Sequence, residues 1–217
     1  MRVSYFDVIY LAKGTGYTIL LSLGTILISL PISVLLGLFR AIRLRNVVFS
    51  VVKALITVCV TAIRGTPLML LMIFVFFGLP FMGVNFSPMT AAFVSLSIYS
   101  VAYLVENVRT GIESIAKTQW DGAASLGFNY VQTMRLIILP QAFRIMIPPT
   151  VSFFIGLIKD SSLCAVVGVV ELARAGRVIV ERTHESLLFF SIVAIVYFAI
   201  CYPLSLFSKK LEKKFGA

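Results

Sequence analysis

Arg64, Ser100, Tyr103, Glu106 and Asp160 stand in or beside long uncharged stretches of the sequence, and their chemistries are complementary. At membrane depth an ionisable side chain costs about 2.5–3.5 kcal/mol on insertion scales, so each one pairs or faces a cavity. Arg64 opens the run Arg64-Gly65-Thr66-Pro67. Glycine and proline there loosen a helix and free backbone groups, which is tolerated inside a bilayer only against protein or water. Ser100, Tyr103 and Glu106 recur every three residues, with Tyr99 between the stripes; that spacing lines a hydroxyl, a phenol and a carboxylate along one helix face. Lys159 and Asp160 close another apolar stretch, next to Ser161 and Ser162. Singly, each has an ordinary structural explanation: Arg64 can snorkel or pair with Glu106, and Lys159 with Asp160 can be an interfacial helix end. Together, a cation, two acids, several hydroxyls and a broken backbone suit a zwitterionic solute. The cation answers a carboxylate and the acids answer an ammonium group.

The elements that position these groups are membrane spans. Of 217 residues, 59% are hydrophobic and 13% charged, about half the charged fraction of a soluble domain. Uncharged runs cover 26 residues at 14–39, 41 at 65–105 and 23 at 186–208, against the roughly 20 needed to cross a bilayer. The longest run holds two spans, because the segment 79–88 carries two prolines, Gly83 and Asn85 and reads as a tight turn. A further span needs residues 134–140 to lengthen the 14 uncharged positions 145–158 across Arg144. The expectation is an all-α integral membrane protein, a single transmembrane domain with spans near 14–39, 56–79, 88–108, 134–158 and 187–208. Arg64 then falls about eight residues into the second span. The first run is of full span length, longer than the roughly 7–15 residues of a signal-peptide core, so it is expected to stay in the mature chain.

The net charge of +10 follows topology rather than a nucleic-acid surface. With the N-terminus outside, the inner face receives twelve cations: Arg40, Arg43, Arg45, Lys53, Arg109, Lys117, Arg135, Arg144, Lys209, Lys210, Lys213 and Lys214. The outer face receives six: Arg2, Lys13, Lys159, Arg174, Arg177 and Arg182. This bias predicts the N-terminus outside and the C-terminus in the cytoplasm. Cys59, Cys164 and Cys201 lack metal or redox spacing and read as small buried hydrophobes. His184 has no Cys or second His nearby, which argues against zinc. No phosphate-binding glycine loop, nucleophile elbow or dinucleotide fingerprint is present, so no catalytic centre is expected.

The same topology places a loop at about 113–133 in the cytoplasm. Trp120, Ala123, Ala124, Gly127 and Phe128 fall at helical spacing and predict an apolar face, with Asp121 and Ser125 off it. Small residues on that face permit close approach of another backbone, whereas a helix resting on the lipid interface usually carries cations and larger apolar groups. Docking surface and interfacial helix both remain open on composition. The segment 160–185, with Glu171, Arg174, Arg177, Glu181 and Arg182 at helical intervals, is either a solvated face or a docking surface.

Residues 120–143, WDGAASLGFNYVQTMRLIILPQAF, resemble the EAA motif of inner-membrane permeases of ATP-binding-cassette (ABC) importers. Asp121, Gly122, Ala123, Gly127, Ile137, Leu139 and Pro140 hold its spacing; Asp121 replaces the glutamate and Gly122 the first alanine. RGTP at 64–67, AYLVENVRTGI at 102–112, Gln119-Trp120, LPQAFR at 139–144 and KDSSL at 159–163 are similar to the polar amino acid branch, of the histidine, glutamine, arginine and cystine kind. The resemblance covers about 14–211. It implies a type I ABC-importer transmembrane fold in the bacterial cytoplasmic (inner) membrane, working with a second permease chain as a homodimer or heterodimer. It implies a coupling helix over Trp120, Asp121, Gly122, Ala123, Ala124, Gly127 and Phe128, docking on a cytoplasmic ATPase dimer that holds the ATP and Mg; no cofactor is expected on this chain. An extracytoplasmic solute-binding protein would deliver the amino acid. By position, substrate contacts fall on Arg64, Gly65, Thr66, Pro67, Ser100, Tyr103, Glu106, Asp160 and Ser161. Thr66 and neighbouring amides are expected on the carboxylate, Glu106 and Asp160 on the ammonium group.

Two other readings compete. A secondary transporter or channel needs no ATPase, yet usually shows internal repeats, and none is evident here. A membrane scaffold has no use for acids and an arginine within its spans.

Overall fold

The computed structural model describes residues 4–42 and 47–215; Arg2, Arg43 and Arg45, counted above among the sided charges, lie outside them. The described chain is helical: α1 (Tyr5–Ala41), α2 (Val47–Gly65), α3 (Leu68–Ile73), α4 (Pro88–Glu113), α5 (Lys117–Ser125), α6 (Tyr130–Thr133), α7 (Leu139–Asp160), α8 (Leu172–Thr183) and α9 (Ser186–Phe215). Five continuous helical stretches are long and apolar enough to cross a membrane: Tyr5–Ala41, Val47–Gly65, Pro88–Glu113, Tyr130–Val167 and Ser186–Phe215.

The second stretch departs from expectation. Instead of one span over 56–79, α2 starts at Val47 and stops at Gly65, and a new helix starts after Pro67. Proline has no amide hydrogen to give an intrahelical bond, and the residue before it is pushed out of the helical region. Arg64 is consequently in the last turn of α2 rather than early in a span. From α3 the chain passes through a π turn (Phe74–Gly78) and a 3-10 turn (Leu79–Met82), and ends in left-handed Gly83 at φ 83°. The fourth stretch holds together across Arg144, with Pro148 and Pro149 inside α7.

Packing fixes the directions of the helices. On α1, Gly14, Thr18, Ser22, Thr25, Ser29, Ser33 and Gly37 form a buried small-residue stripe. Such stripes let helices approach closely where lipid offers no hydrophobic drive. At Gly37 an added Cβ would lie 2.5 Å from Val108 Cβ on α4, so only glycine fits. Gly24 adjoins Phe93 and Gly37 adjoins Val108, which makes α1 and α4 parallel. Gly111 meets Met146 and Asn107 bonds Thr150, so α7 runs back antiparallel to α4. The Ser152–Ser208 hydrogen bond of 2.9 Å ties α7 to α9. Residues 41, 113–130 and 215 therefore share one end of the bundle, and residues 5, 82–88 and 160–186 the other.

At the second end α8 lies against α1 and α9. Leu172 N donates to Thr18 Oγ1 at 3.2 Å, and Arg182 pairs with the buried Asp7. Glu171, expected on a charged surface, is instead fully buried. Its carboxylate caps α8 by accepting from Ala173 N (2.7 Å) and Arg174 N (2.8 Å), and it accepts from the Tyr197 hydroxyl at 2.9 Å. Burial pushes this carboxyl above the usual range, against the pull of those three donors. Cys164 and Cys201 are buried as expected, whereas Cys59 is exposed on α2.

Candidate functional site

The break at Gly65–Pro67 brings the end of α2 against the middle of α4. Thr66 N donates to Ile63 O (3.1 Å) and its hydroxyl to Ala62 O (2.9 Å), so Thr66 finishes α2 with its own backbone. Leu71 N returns to Pro67 O at 3.1 Å as α3 begins. The amides of the first turn, Leu68 to Leu70, precede that bond and have no intrahelical acceptor.

Glu106 is the hub of the adjacent polar cluster. Its Oε2 accepts from Arg40 at 2.8 Å and from Arg109 Nε at 3.2 Å; its Oε1 accepts from Arg109 at 2.5 Å. Arg109 also pairs with Glu113, one turn on. Arg64 stands off at 3.8 Å from Oε1. Three helices, α1, α2 and α4, thus meet at one carboxylate. Arg40, only 7% exposed, has its charge balanced in this way; Arg64, 39% exposed, remains accessible. Counting Arg40, Arg64 and Arg109 against Glu106 and Glu113, the cluster carries an excess positive charge.

Arg64 is held by aromatic contact as well. Its guanidinium carbon lies 5.3 Å from the centre of the Tyr103 ring, and the Tyr103 hydroxyl donates to Arg64 O at 3.4 Å. That separation is within cation–π range. Tyr103 packs tilted against Tyr99 at 4.5 Å and stacks on Phe153 of α7 at 5.7 Å. A cavity of 310 Å³ opens here, lined among others by Arg64, Tyr103, Glu106, Asn107, Thr110 and Phe153. Its size is at the small end of small-molecule sites, which run about 300–1,000 Å³. Asn107 lines it and donates to Thr150 Oγ1 at 2.7 Å and to Met146 O at 3.3 Å.

The structure unites only part of the expected set. Arg64, Tyr103 and Glu106 share the cavity, whereas Gly65, Thr66 and Pro67 form the break beside Arg64 and do not line it. Ser100 does not line it: the residue is fully buried, and its hydroxyl has no hydrogen-bond partner among the described residues. A spacing of three falls short of the 3.6-residue helical turn, so the stripe drifts around α4 into the packed face. Ser161 is likewise buried, its hydroxyl donating to Ile158 O at 2.7 Å. Asp160, at the end of α7, is half-buried and does not line the cavity. Glu106 is not free for a cation, because arginines already occupy both its oxygens. Arg40, Asn107 and Phe153 were missed. Their partners are far away in sequence, and of the ion pairs at Glu106 only the one with Arg64 is among the expectations.

The expected coupling face is also redistributed. α5 spans nine residues and ends in a Schellman turn: Phe128 N donates to Ala123 O (3.1 Å) and Gly127 N to Ala124 O (3.0 Å), with Gly127 at φ 79°. Gly127 is therefore the left-handed C-terminal glycine that stops the helix, and neither it nor Phe128 continues a helical face. Ala123 is buried, and Trp120 packs on the chain's own cluster around Ile112, Ile115 and Ile138 while stacking on Tyr130 at 6.0 Å. The outward side is Asp121, Gly122, Ala124, Ser125 and Leu126.

A helix broken at Gly65–Pro67, a polar cluster joining three helices and a short helix packed on the bundle mark a membrane protein of five apolar helices. Residues 30–216 match the family described as "Binding-protein-dependent transport system inner membrane component", and the chain belongs to that family. It is 36% identical to the "Probable amino-acid ABC transporter permease protein YckA" of Bacillus subtilis (strain 168), over 95% of this chain and 89% of that one. With the "L-cystine transport system permease protein TcyB" of the same organism it shares 34% identity over 94% and 86%. The fold matches that in the "Crystal structure of an amino acid ABC transporter with histidines" with TM-score 0.87 and 26% identity, covering 99% of this chain and all of the other. An inward-facing MetNI methionine ABC transporter shares the fold at TM-score 0.73 and 17% identity, over 98% and 99% of the two chains. The chain is thus a multi-pass ABC importer permease with the type I transmembrane fold.

Proposed function

We propose that this subunit carries a polar zwitterionic amino acid, such as cystine, glutamine, arginine or histidine, across the cytoplasmic membrane in an ATP-driven importer. One observation carries the reading of the site: Arg64 is the cation of the Glu106 cluster whose charge is least engaged, and it faces a cavity of amino-acid size. Arg40 and Arg109 satisfy Glu106 at 2.5–3.2 Å, so Arg64 can turn from a 3.8 Å contact to a substrate carboxylate at little electrostatic loss. The first-turn amides of α3, next to Thr66, add donors. Glu106 keeps Arg40 and Arg109 in place and gives up the ammonium role expected of it.

The remaining parts follow the importer scheme. The outward side of α5 docks on a cytoplasmic ATPase dimer holding ATP and Mg, and a second permease chain, identical or related, completes the pathway. A solute-binding protein approaches the opposite end, where Arg177 and Glu181 of α8 are exposed. The N-terminus is outside and the C-terminus inside, in keeping with the sided cations.

Reconstitution with the ATPase and binding protein in vesicles, followed by uptake of a panel of labelled amino acids, tests this scheme. Uptake is expected only with ATP inside the ATPase-bearing compartment. Uptake sustained by the chain alone under an ion gradient would replace this reading with a secondary transporter.

A further inference from the structure

At 100° per residue, Lys209, Lys210, Lys213 and Lys214 occupy about 140° of arc on α9. The opposite side of the helix is packed on the bundle: Cys201 and Ser208 are buried, and Leu211 and Phe215 are half-buried. Glu212, the one acid of residues 208–217, falls outside the lysine arc. On the same line as the lysines, one to four turns earlier, lie Ile195, Phe198, Tyr202 and Leu206, exposed by 65%, 62%, 49% and 43%. A bare apolar stripe therefore runs directly into a basic one on the same helix face. The lysines extend over about 7.5 Å along the axis, which matches the depth of a headgroup layer rather than that of a hydrocarbon core.

We infer that this face of α9 is a binding site for anionic phospholipid: the apolar stripe takes the acyl chains and the four lysines take the headgroup phosphates. The continuity of the two stripes selects lipid over a soluble acidic protein, because a headgroup and its own chains are presented in that order along one line. A second copy of this chain would bring the same four lysines and meet like charge. Lysine stems of four carbons can lie along the apolar surface and raise their ammonium groups to the phosphates.

Full-length chain in detergent micelles is titrated with phosphatidylglycerol or phosphatidylcholine, and bound lipid is counted by native mass spectrometry. Phosphatidylglycerol is expected to bind at least ~10-fold more tightly, with a preference that falls at about 0.5 M salt through screening. Replacing all four lysines by glutamine (Lys209→Gln, Lys210→Gln, Lys213→Gln, Lys214→Gln) is expected to remove that preference; replacing them by arginine is expected to keep it. A lipid-independent result, or a glutamine variant with unchanged preference, overturns the proposal. So does a benzophenone amino acid at position 202 that cross-links, in vesicles holding the assembled transporter, to protein instead of phosphatidylglycerol. Transport itself is not the readout, so failure here leaves the substrate site untouched.

Discussion

At Glu106 a single carboxylate balances charge from three helices, and the chemistry of the site depends on which arginine it releases. Removing a paired charge and leaving its partners buried costs about 3–5 kcal/mol in a dry interior. Glu106 is 18% exposed, so solvent lowers that cost, and Glu106→Gln is expected to destabilise the detergent-solubilised chain by about 2 kcal/mol. An unchanged thermal midpoint would mean that the cluster does not hold α1 to α4. Arg64→Gln should behave differently. Its contact with Glu106 is long, so stability should stay within about 0.5 kcal/mol of the parent. Loss of a charge-assisted hydrogen bond to substrate, about 1.5–3 kcal/mol, should raise the KM for uptake at least ~10-fold. A normal KM in Arg64→Gln removes Arg64 from the substrate path.

Among the elements, α5 owes its C-terminal end to a single glycine. Gly127 sits at φ 79°, where a Cβ costs roughly 1–2 kcal/mol, so Gly127→Ala should fray the end of α5 without touching its outward side. Gly122 has nothing within 4 Å of an added Cβ, and Gly122→Ala should stabilise the same helix by up to ~1 kcal/mol. Hydrogen exchange across 117–128 checks both, and equal protection in the two variants contradicts this account. α8 carries a pH effect. The folded state holds Glu171 protonated to higher pH than the unfolded chain, where it titrates near 4.5. Its stabilising contribution is therefore complete below about that pH and is lost as pH rises through the folded value. Glu171→Gln is expected to flatten this part of the profile of melting temperature against pH; an identical slope in the variant excludes Glu171 as its source.

For the whole bundle, the α1–α4 contact is the main seam, built from small residues rather than bulky ones. Gly37→Val would drive a side chain into Val108, 2.5 Å from the added Cβ, and push the helices apart. Overpacking of this kind costs about 1–3 kcal/mol. Because α1 carries Arg40 and α4 carries Glu106, the same wedge should loosen the polar cluster, so Gly37→Val is expected to lower both the melting temperature and the uptake rate. A melting temperature equal to that of the parent would mean that the seam tolerates a wider spacing than its geometry suggests.

How much of this could be read from the sequence follows from the range of each interaction. Long uncharged runs announced five apolar helices, because the bilayer sets a minimum length and a composition that the chain must satisfy locally. Gly65 and Pro67 announced a disturbed backbone for the same reason, since their constraints act on their own residues. Which residues meet was not local information. Arg40 lies 66 residues from Glu106, and nothing along the sequence ties an arginine at the end of one helix to an acid in another. Ser100 read as part of a polar face and turned inward, and Glu171 read as surface and was buried, because helix rotation and packing decide exposure. The sequence by itself determined the solvent, the helical class and where the backbone is disturbed; the tertiary structure decided the bounds of the second span and the partners of each charge, since charge pairing depends on distance through space.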